Sequence, residues 1–302
     1  MKTETRVNAR PTLREGAWGH RSLLVLFKVR VVVLLLFAAV GGACIATGGW
    51  PDTNTLAVLL VAGGMAAGGA SAINQYLEQE LDARMERTQR RPLAAREFTH
   101  SRWVPYAGAL MILLPSLAVL PFNPALTFFL LLGAGIYIGV YTIWLKPRTP
   151  LNIVIGGAAG SAAVLSGSAA AGNWNEPGAV VLALLVFLWT PTHFWSLAIA
   201  YRDDYARGGI PMLPVQSKPR TAAVWVLLHA SGAVLATLAL ATHPSLGWLY
   251  LVTAGLASTG LLALSALLIA QPGKKRALAL FHGSNLYLGL LILVICVEAA
   301  LA

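Results

Sequence analysis

Along most of this chain the apolar residues are not spaced for one face of a helix or one face of a sheet. They come in predominantly apolar runs of about 20 residues. Nine such runs lie at 23–46, 54–76, 102–120, 124–144, 151–171, 178–200, 221–241, 246–270 and 278–300. A run of that length spans the hydrocarbon core as a helix, the only open-chain conformation that satisfies its own backbone N–H and C=O groups there. The pattern predicts an all-α, polytopic membrane protein with about nine transmembrane helices. Small residues crowd "AGGMAAGGASA" and "IGGAAGSAAVLSGSAAAG". Such runs let helix backbones approach closely and carry no function by themselves. The first run follows a basic N-terminus in the manner of a signal peptide. It is long enough to span and further runs follow, so it is predicted to remain as a helix.

Composition agrees. Of 302 residues 57% are hydrophobic and 11% charged, against about 25% charged in soluble domains. The net charge of +10 would suggest a nucleic-acid partner in a soluble protein; here it reflects basic loops retained in the cytoplasm. Lys and Arg fall in the N-terminal segment, in the loops around 77–101, 145–150, 201–220 and 271–277, or at the helix ends that border them. The alternate loops "GGWPDTN", "PFN", "GNWNEP" and "THPSLG" contain none. This predicts a cytoplasmic N-terminus and an outside C-terminus, with 1–22 a basic N-terminal segment and 23–302 one transmembrane domain. No long Ser/Arg-rich presequence precedes the first run, which favours a bacterial cytoplasmic membrane. Cys44 and Cys296 lie in apolar runs without a CxxC or CxxCH pattern. No disulfide framework, zinc site or covalent haem is expected.

The acids need a different explanation, since Asp and Glu contribute little to orientation. Glu78, Glu80, Asp82, Glu86 and Glu97 share one basic loop, and Asp203 and Asp204 share another. Asn74, Glu78 and Asp82, at i, i+4 and i+8, drift only about 40° per step around a helix. An amide and two carboxylates in a row offer hard oxygens suited to Mg²⁺. A solvated helix end with ion pairs such as Glu80–Arg84 explains the spacing equally well. In "TPTHFWSLAIAYRDDYARGGIPMLP", 190–214, a continuous helix would place His193, Ala200 and Asp204 on one face, with a kink at Pro191. An ionisable residue at such depth is a functional candidate, although a lone histidine is more often a core residue. Lys28, Arg30, Arg87, Arg90, Arg91, Lys146, Arg148 and Arg202 border the same end. Acids that hold Mg²⁺, ringed by Arg and Lys, describe a site for a polyanion such as diphosphate. Topology accounts for most of these cations, and only a minority are expected to touch a ligand.

With these motifs in place the chain resembles the UbiA superfamily of intramembrane prenyltransferases, and within it the haem-farnesylating branch (haem O synthases). The superfamily's N-x-x-x-D-x-x-x-D reads Asn74, Glu78, Asp82 here, within "NQYLEQELDARMERTQRRPL", which is similar to the pattern D-x-x-M-x-R-T-x-x-R-P. "WTPTHFWSLAIAYRDDYARGGIPMLPV", "LFKVRVVVLLLFAAVGG" and "YTIWLKPRTPLNIVIGGAAGS" also resemble family segments, so the likeness runs over 22–295. Glu78 stands where the family usually has Asp. Adjacent Asp203 and Asp204 with His193 upstream replace the superfamily's D-x-x-x-D, as in the haem branch and unlike quinone-type relatives.

The resemblance implies a UbiA-type bundle that carries farnesyl from farnesyl diphosphate to a vinyl group of haem b, a substrate and not a cofactor. It implies Mg²⁺ on Asn74, Glu78, Asp82, Asp203 and Asp204, and diphosphate on Lys28, Arg30, Arg87, Arg91, Lys146 and Arg202. It implies His193 and Trp195 as haem-binding or orienting groups, with His229 and His282 weaker candidates. Trp195, Tyr201 and Tyr205 are candidates to shield a carbocation with their π faces, although aromatics at a membrane interface are common without any such role. The implied surroundings are the lipid bilayer, a cytoplasmic-face site and a haem A synthase as candidate partner, with no nucleic acid. The alternatives are prenyl transfer to an aromatic or tetrapyrrole-alcohol acceptor and, more distantly, a multi-span transporter. A transporter places ionisable groups near the midplane, often in paired repeats, whereas these acids gather at one face.

Overall fold

The computed structural model describes residues 19–98 and 100–302; residues 1–18, most of the expected basic segment, lie outside the described residues. Fourteen helices follow in chain order: α1 (His20–Leu26), α2 (Val29–Thr47), α3 (Thr53–Leu77), α4 (Gln79–Ala83), α5 (Trp103–Val119), α6 (Pro124–Gly135), α7 (Asn152–Gly156), α8 (Ala158–Ala170), α9 (Pro177–Ala200), α10 (Arg202–Arg207), α11 (Leu213–Gln216), α12 (Pro219–Leu240), α13 (Trp248–Ala270) and α14 (Lys274–Leu301). Helix α6 passes directly into a π-helical stretch, Ile136–Leu145. No strand occurs among the described residues.

Among the described residues eight helical segments are long and apolar enough to cross a membrane, with α6 and its π-helical extension forming one and α7–α8 another. Helix α5, with 17 residues, is shorter. Each predicted run is therefore a helix, but the first is shorter than predicted: it breaks at Phe27–Lys28, and the span starts at Val29. Helix α9 continues through Pro191. Proline offers no N–H to the Phe187 carbonyl one turn back, and Gly157 packs there, where a Cβ would come within 3.3 Å of that oxygen.

The loops free of Lys and Arg supply the helix starts. Asp52 accepts from the Asn54 and Thr55 amides at the head of α3, Asn123 accepts from Leu126 N ahead of α6, and Glu176 accepts from Ala179 N ahead of α9. Each carboxylate or amide oxygen satisfies amides that the first turn leaves free, a contribution of about 1 kcal/mol. Glu298 near the end of α14 accepts from Gly247 N and Tyr250 N, and Glu176 also meets His243 Nε2 at 3.1 Å. This end is thus closed by caps.

Between the ends, backbone meets backbone. A Cβ on Gly167 would strike the Ala39 carbonyl, one on Gly42 the Val164 carbonyl, and one on Gly69 the Gly108 carbonyl. These contacts pair α2 with α8 and α3 with α5, as the small-residue runs predicted. Helix α9 lies centrally, burying Leu182, Leu185 and Ala198 completely. The outer surface is apolar: Val61, Leu235 and Leu256 are 62%, 68% and 73% exposed. That surface suits hydrocarbon, not water.

Gly167→Ala is expected to lower the melting temperature in detergent by the equivalent of about 1–3 kcal/mol, because the added methyl meets backbone atoms. Gly139→Ala, where nothing lies within 4 Å of the new Cβ, is expected to leave it unchanged or raise it.

Candidate active site

The polar residues that the fold spares from the membrane interior meet where α2 begins and α3 and the π-helical stretch end. Helix α3 stops at Leu77 and Glu78 leaves helical geometry (φ −99°, ψ 5°). The pitch nevertheless persists, because Glu78 N donates to Asn74 O (3.0 Å) and Asp82 N to Glu78 O (2.7 Å). Asn74, Glu78 and Asp82 therefore stay in one row, 1%, 6% and 3% exposed. The row drawn from spacing alone is present.

Each member of the row has a cation. Lys28 Nζ donates to Asn74 Oδ1 at 2.6 Å, Lys146 Nζ pairs with Glu78 Oε1, and Arg91 Nη1 spans both Asp82 oxygens at 3.0 and 2.8 Å. Asn74 Nδ2 donates to Thr142 Oγ1 (2.9 Å), and Lys28 Nζ also donates to the Tyr137 hydroxyl (2.9 Å). Tyr137 and Tyr141 stack at 5.9 Å, with Lys28 and Lys146 each 5.6 Å from one of the two ring centres. The π-helical stretch brings Tyr137, Tyr141, Thr142 and Lys146 to the row together; such stretches recur at functional sites.

Lys28 reaches the row because the chain turns there. It is left-handed (φ 47°, ψ 46°), breaking α1 from α2. Gln75 Nε2 fixes the break by donating to the Val25 and Leu26 carbonyls at 2.7 and 2.8 Å. Burial lowers the Lys28 pKa to about 7, and the positive charge of Arg91 acts in the same direction. An anion bound here would raise it again, since opposite charge favours the ammonium.

A cleft of about 330 Å³ opens beside the row, lined by Leu77, Glu78, Thr142, Lys146, Gly209 and Ile210 among others. Its polar end is the Glu78–Lys146 pair, and apolar side chains cover most of the rest.

The second cluster joins differently. Helix α9 ends at Ala200 and Tyr201 (φ −121°, ψ 36°) breaks it from α10. His193, Ala200 and Asp204 therefore do not share one continuous helical face, contrary to the sequence expectation. Asp204, 4% exposed, accepts from the amides of Glu86 (2.8 Å) and Arg87 (3.3 Å) and from Arg207 Nη2 (2.9 Å). It ties the loop after α4 to α10. Asp203 is exposed, and its carboxylate makes no hydrogen bond or ion pair with another described residue. Among the described residues no three His, Cys, Asp or Glu side chains group closely enough to hold a metal. The five expected metal ligands thus divide into one row of three and a separate pair.

The expected diphosphate residues also divide. Lys28, Lys146 and Arg91 meet the row. Arg87 is exposed, with its guanidinium 5.7 Å from the Tyr205 ring centre. Arg202 donates to the Val215 and Ser217 carbonyls, and Arg30 is exposed on α2. His193 Nδ1 lies 3.0 Å from Ser284 Oγ, and its ring stacks between Trp189 (4.6 Å) and Phe281 (4.4 Å). Both ring faces are covered, so His193 is a core histidine in this structure. Trp195 is 2% exposed, edge-on to His229 at 5.0 Å. Gln75, Tyr137, Tyr141 and Thr142 were not singled out from sequence. Gln75 is a second amide beside Asn74 in an apolar run, and "YIGVYTIWLK" sets two tyrosines and a threonine ahead of Lys146.

A bundle of membrane-length helices with a buried row of oxygen donors and cations at one end suits an intramembrane enzyme acting on an anionic, lipid-borne substrate. The chain belongs to the UbiA prenyltransferase family, whose model matches residues 34–289. A protein of Paramagnetospirillum magneticum named protoheme IX farnesyltransferase 2 is 40% identical over 281 residues, 93% of this chain and 97% of that one. Among solved structures, a digeranylgeranylglyceryl phosphate synthase superposes with a TM-score of 0.78 at 17% identity, over 93% of this chain and 99% of that one. A UbiA homologue from Archaeoglobus fulgidus, bound to GPP and Mg²⁺, gives 0.61 at 14% identity, over 91% and 99%.

Asp204→Ala frees two backbone amides that the carboxylate now satisfies, a loss of about 1–3 kcal/mol. It is expected to speed tryptic cleavage after Arg84, Arg87 and Arg90, whereas Asp203→Ala is expected to leave cleavage as in the wild type.

Proposed function

We propose that the chain transfers the farnesyl group of farnesyl diphosphate to a vinyl group of haem b, with addition of water, to give haem O and diphosphate. The observation that carries this reading is the buried row Asn74–Glu78–Asp82, matched one-for-one by Lys28, Lys146 and Arg91. It lies in a chain 40% identical, over nearly its whole length, to a protein named for this reaction. The donor set fits Mg²⁺: an amide and two carboxylate oxygens are hard ligands. A family member of the same fold holds GPP and Mg²⁺. Asn74, Glu78 and Asp82 would hold the ion, which would supply neutralisation of the leaving diphosphate.

The chain's own residues do the rest. Lys28, Lys146 and Arg91 already present positive charge in an enclosed site, so little reorganisation is needed when a phosphate oxygen replaces the amide or carboxylate partner. Arg87 extends this charge at the rim. Asp204 holds the loop that bears Arg87 and Arg91, and Asp203 is the carboxylate left free to reach the metal–diphosphate from the second cluster. The apolar walls of the cleft take the isoprenoid and exclude water. The farnesyl C1–O bond breaks and diphosphate leaves. C1 then bonds the terminal vinyl carbon, and the resulting cation takes hydroxyl from one water, whose other proton passes to solvent.

By the positive-inside rule the end carrying the row faces the cytoplasm, in the cytoplasmic membrane of a bacterium. Residues 23–302 act as one domain preceded by a basic segment, 1–22, and a haem A synthase is the partner placed to take the product.

Membranes carrying the protein, incubated with haem b, farnesyl diphosphate and Mg²⁺, are expected to yield haem heavier by farnesyl plus water on mass spectrometry. EDTA and Asp82→Asn are expected to abolish the product, and Lys146→Met to lower kcat/KM by about a hundredfold. Unchanged haem from folded protein, with diphosphate released on adding aromatic acceptors, would replace haem by another acceptor.

A further inference from the structure

Helix α14 carries an ionisable side chain that neither the packing nor the site above employs. His282 is exposed, and its imidazole has no hydrogen bond to another described residue; its ring stands edge-on to Phe281 at 5.1 Å. Ionisable residues within membrane-spanning helices normally face the bundle interior or a water-filled cavity, and one that does not needs a named partner. Its helical neighbours on this stripe, Ala279 and Leu286, are exposed too, so the stripe faces away from the bundle.

At the head of the same stripe the α13–α14 turn forms an open hollow of about 570 Å³, lined by Gln271 to Arg276 and by Ala279. Lys274, Lys275 and Arg276 occupy the first turn of a helix 28 residues long, and no acid stands there. That is the positive end of the helix dipole, so the three cations repel both it and one another. Two are partly engaged: Lys274 Nζ lies 5.1 Å from the Tyr201 ring centre, and Arg276 donates to Gln271 Oε1 at 3.2 Å. Lys275 has no polar partner among the described residues. Its position, seven residues before His282, is within about 20° of it around the helix and about 10.5 Å away along the axis. Ala279 lies between them and adds no bulk.

A ligand that fits this edge carries anionic groups at one margin, a flat apolar body, and a metal centre able to take an imidazole. Resting on the reading of the preceding subsection, we propose that this outer edge of α14 is a docking ledge for haem entering from the bilayer, with Lys275 and Arg276 pairing the propionates and His282 ligating the iron. Propionate is recognised by charge-assisted hydrogen bonds from Lys and Arg, and neutral imidazole is the commonest protein ligand of metals. The ledge adjoins the reaction site's own supports. Lys274 touches Tyr201, which breaks α9 just before Asp203 and Asp204, and Phe281 stacks on His193.

The test is titration of the purified full chain in phosphatidylcholine nanodiscs with ferric haem b, read from the Soret band, with farnesyl transfer by the same samples measured in parallel. The wild type is expected to give the spectrum of histidine-ligated haem. His282→Ala is expected to lose that ligation signature and weaken binding by about tenfold or more. The double variant Lys275→Gln/Arg276→Gln is expected to keep the signature with a Kd raised several-fold. Because all three side chains are exposed, these variants are expected to fold, which the melting temperature checks. Identical spectra and affinities in wild type and His282→Ala would overturn the ledge. So would a double variant with wild-type haem affinity that, in parallel nanodiscs doped with phosphatidylglycerol, loses only its retention of that lipid, which would make the turn a phospholipid site. If the wild type binds haem but makes no farnesylated product, the reaction reading fails and the ledge stands. If it makes product with binding indifferent to His282, the ledge alone fails.

Discussion

Three partly buried basic side chains, placed against a buried amide and two buried carboxylates, set the terms for the rest of this molecule. Leaving one member of a buried pair without its partner costs about 3–5 kcal/mol, so Lys146–Glu78 and Arg91–Asp82 must form together. Lys28–Asn74 adds a cation whose counter-charge comes only from neighbours. The arrangement is therefore poised for a ligand: it contains more positive than negative charge, and its acceptors are hard oxygens. A metal–diphosphate offers both missing components, a cation for the carboxylates and an anion for the ammonium and guanidinium groups.

Much of the unusual backbone serves that convergence. The left-handed Lys28, pinned by Gln75, cuts the first apolar run so that its charge turns inward. The π-helical stretch aims Tyr137, Thr142 and Lys146 at the row. Asp204 binds amides 86 and 87 and so fixes the loop that carries Arg91. At the opposite end the left-handed positions are glycines, Gly48 and Gly172, which end helices rather than turn a charge inward. Its caps, Asp52, Asn123 and Glu176, do what their positions in short polar loops require. Between the two ends, glycine at Gly42, Gly69 and Gly167 allows the close backbone packing that substitutes for a hydrophobic drive inside lipid.

The spans were legible because a membrane demands about 20 apolar residues whatever the tertiary contacts. The first run was misjudged because its break depends on a hydrogen bond from Gln75, 50 residues away in sequence from Val25. The row was legible because Asn74, Glu78 and Asp82 repeat at the helical period. Of their partners, Lys28, Arg91 and Lys146 were visible as charges, but nothing in the sequence paired each with its acceptor. Asp204 was visible as an acid, but its ties to the Glu86 and Arg87 amides were not, because backbone amides leave no trace in a sequence. Arg202 turns to carbonyls for the same reason. His193 was singled out for its depth; its aromatic neighbours Trp189 and Phe281 come from positions far apart in the chain and only the fold stacks them.

The central claim is that the row and its cations form one grip for metal and diphosphate. It is tested most directly by calorimetric binding of a non-reactive farnesyl diphosphate analogue, with and without Mg²⁺, to the wild type and to Glu78→Gln. The account predicts tight binding by the wild type only with Mg²⁺, and binding by Glu78→Gln that is weaker and indifferent to the metal. Equal affinity with and without Mg²⁺ in the wild type, or a Glu78→Gln protein that keeps the full metal dependence, would contradict it.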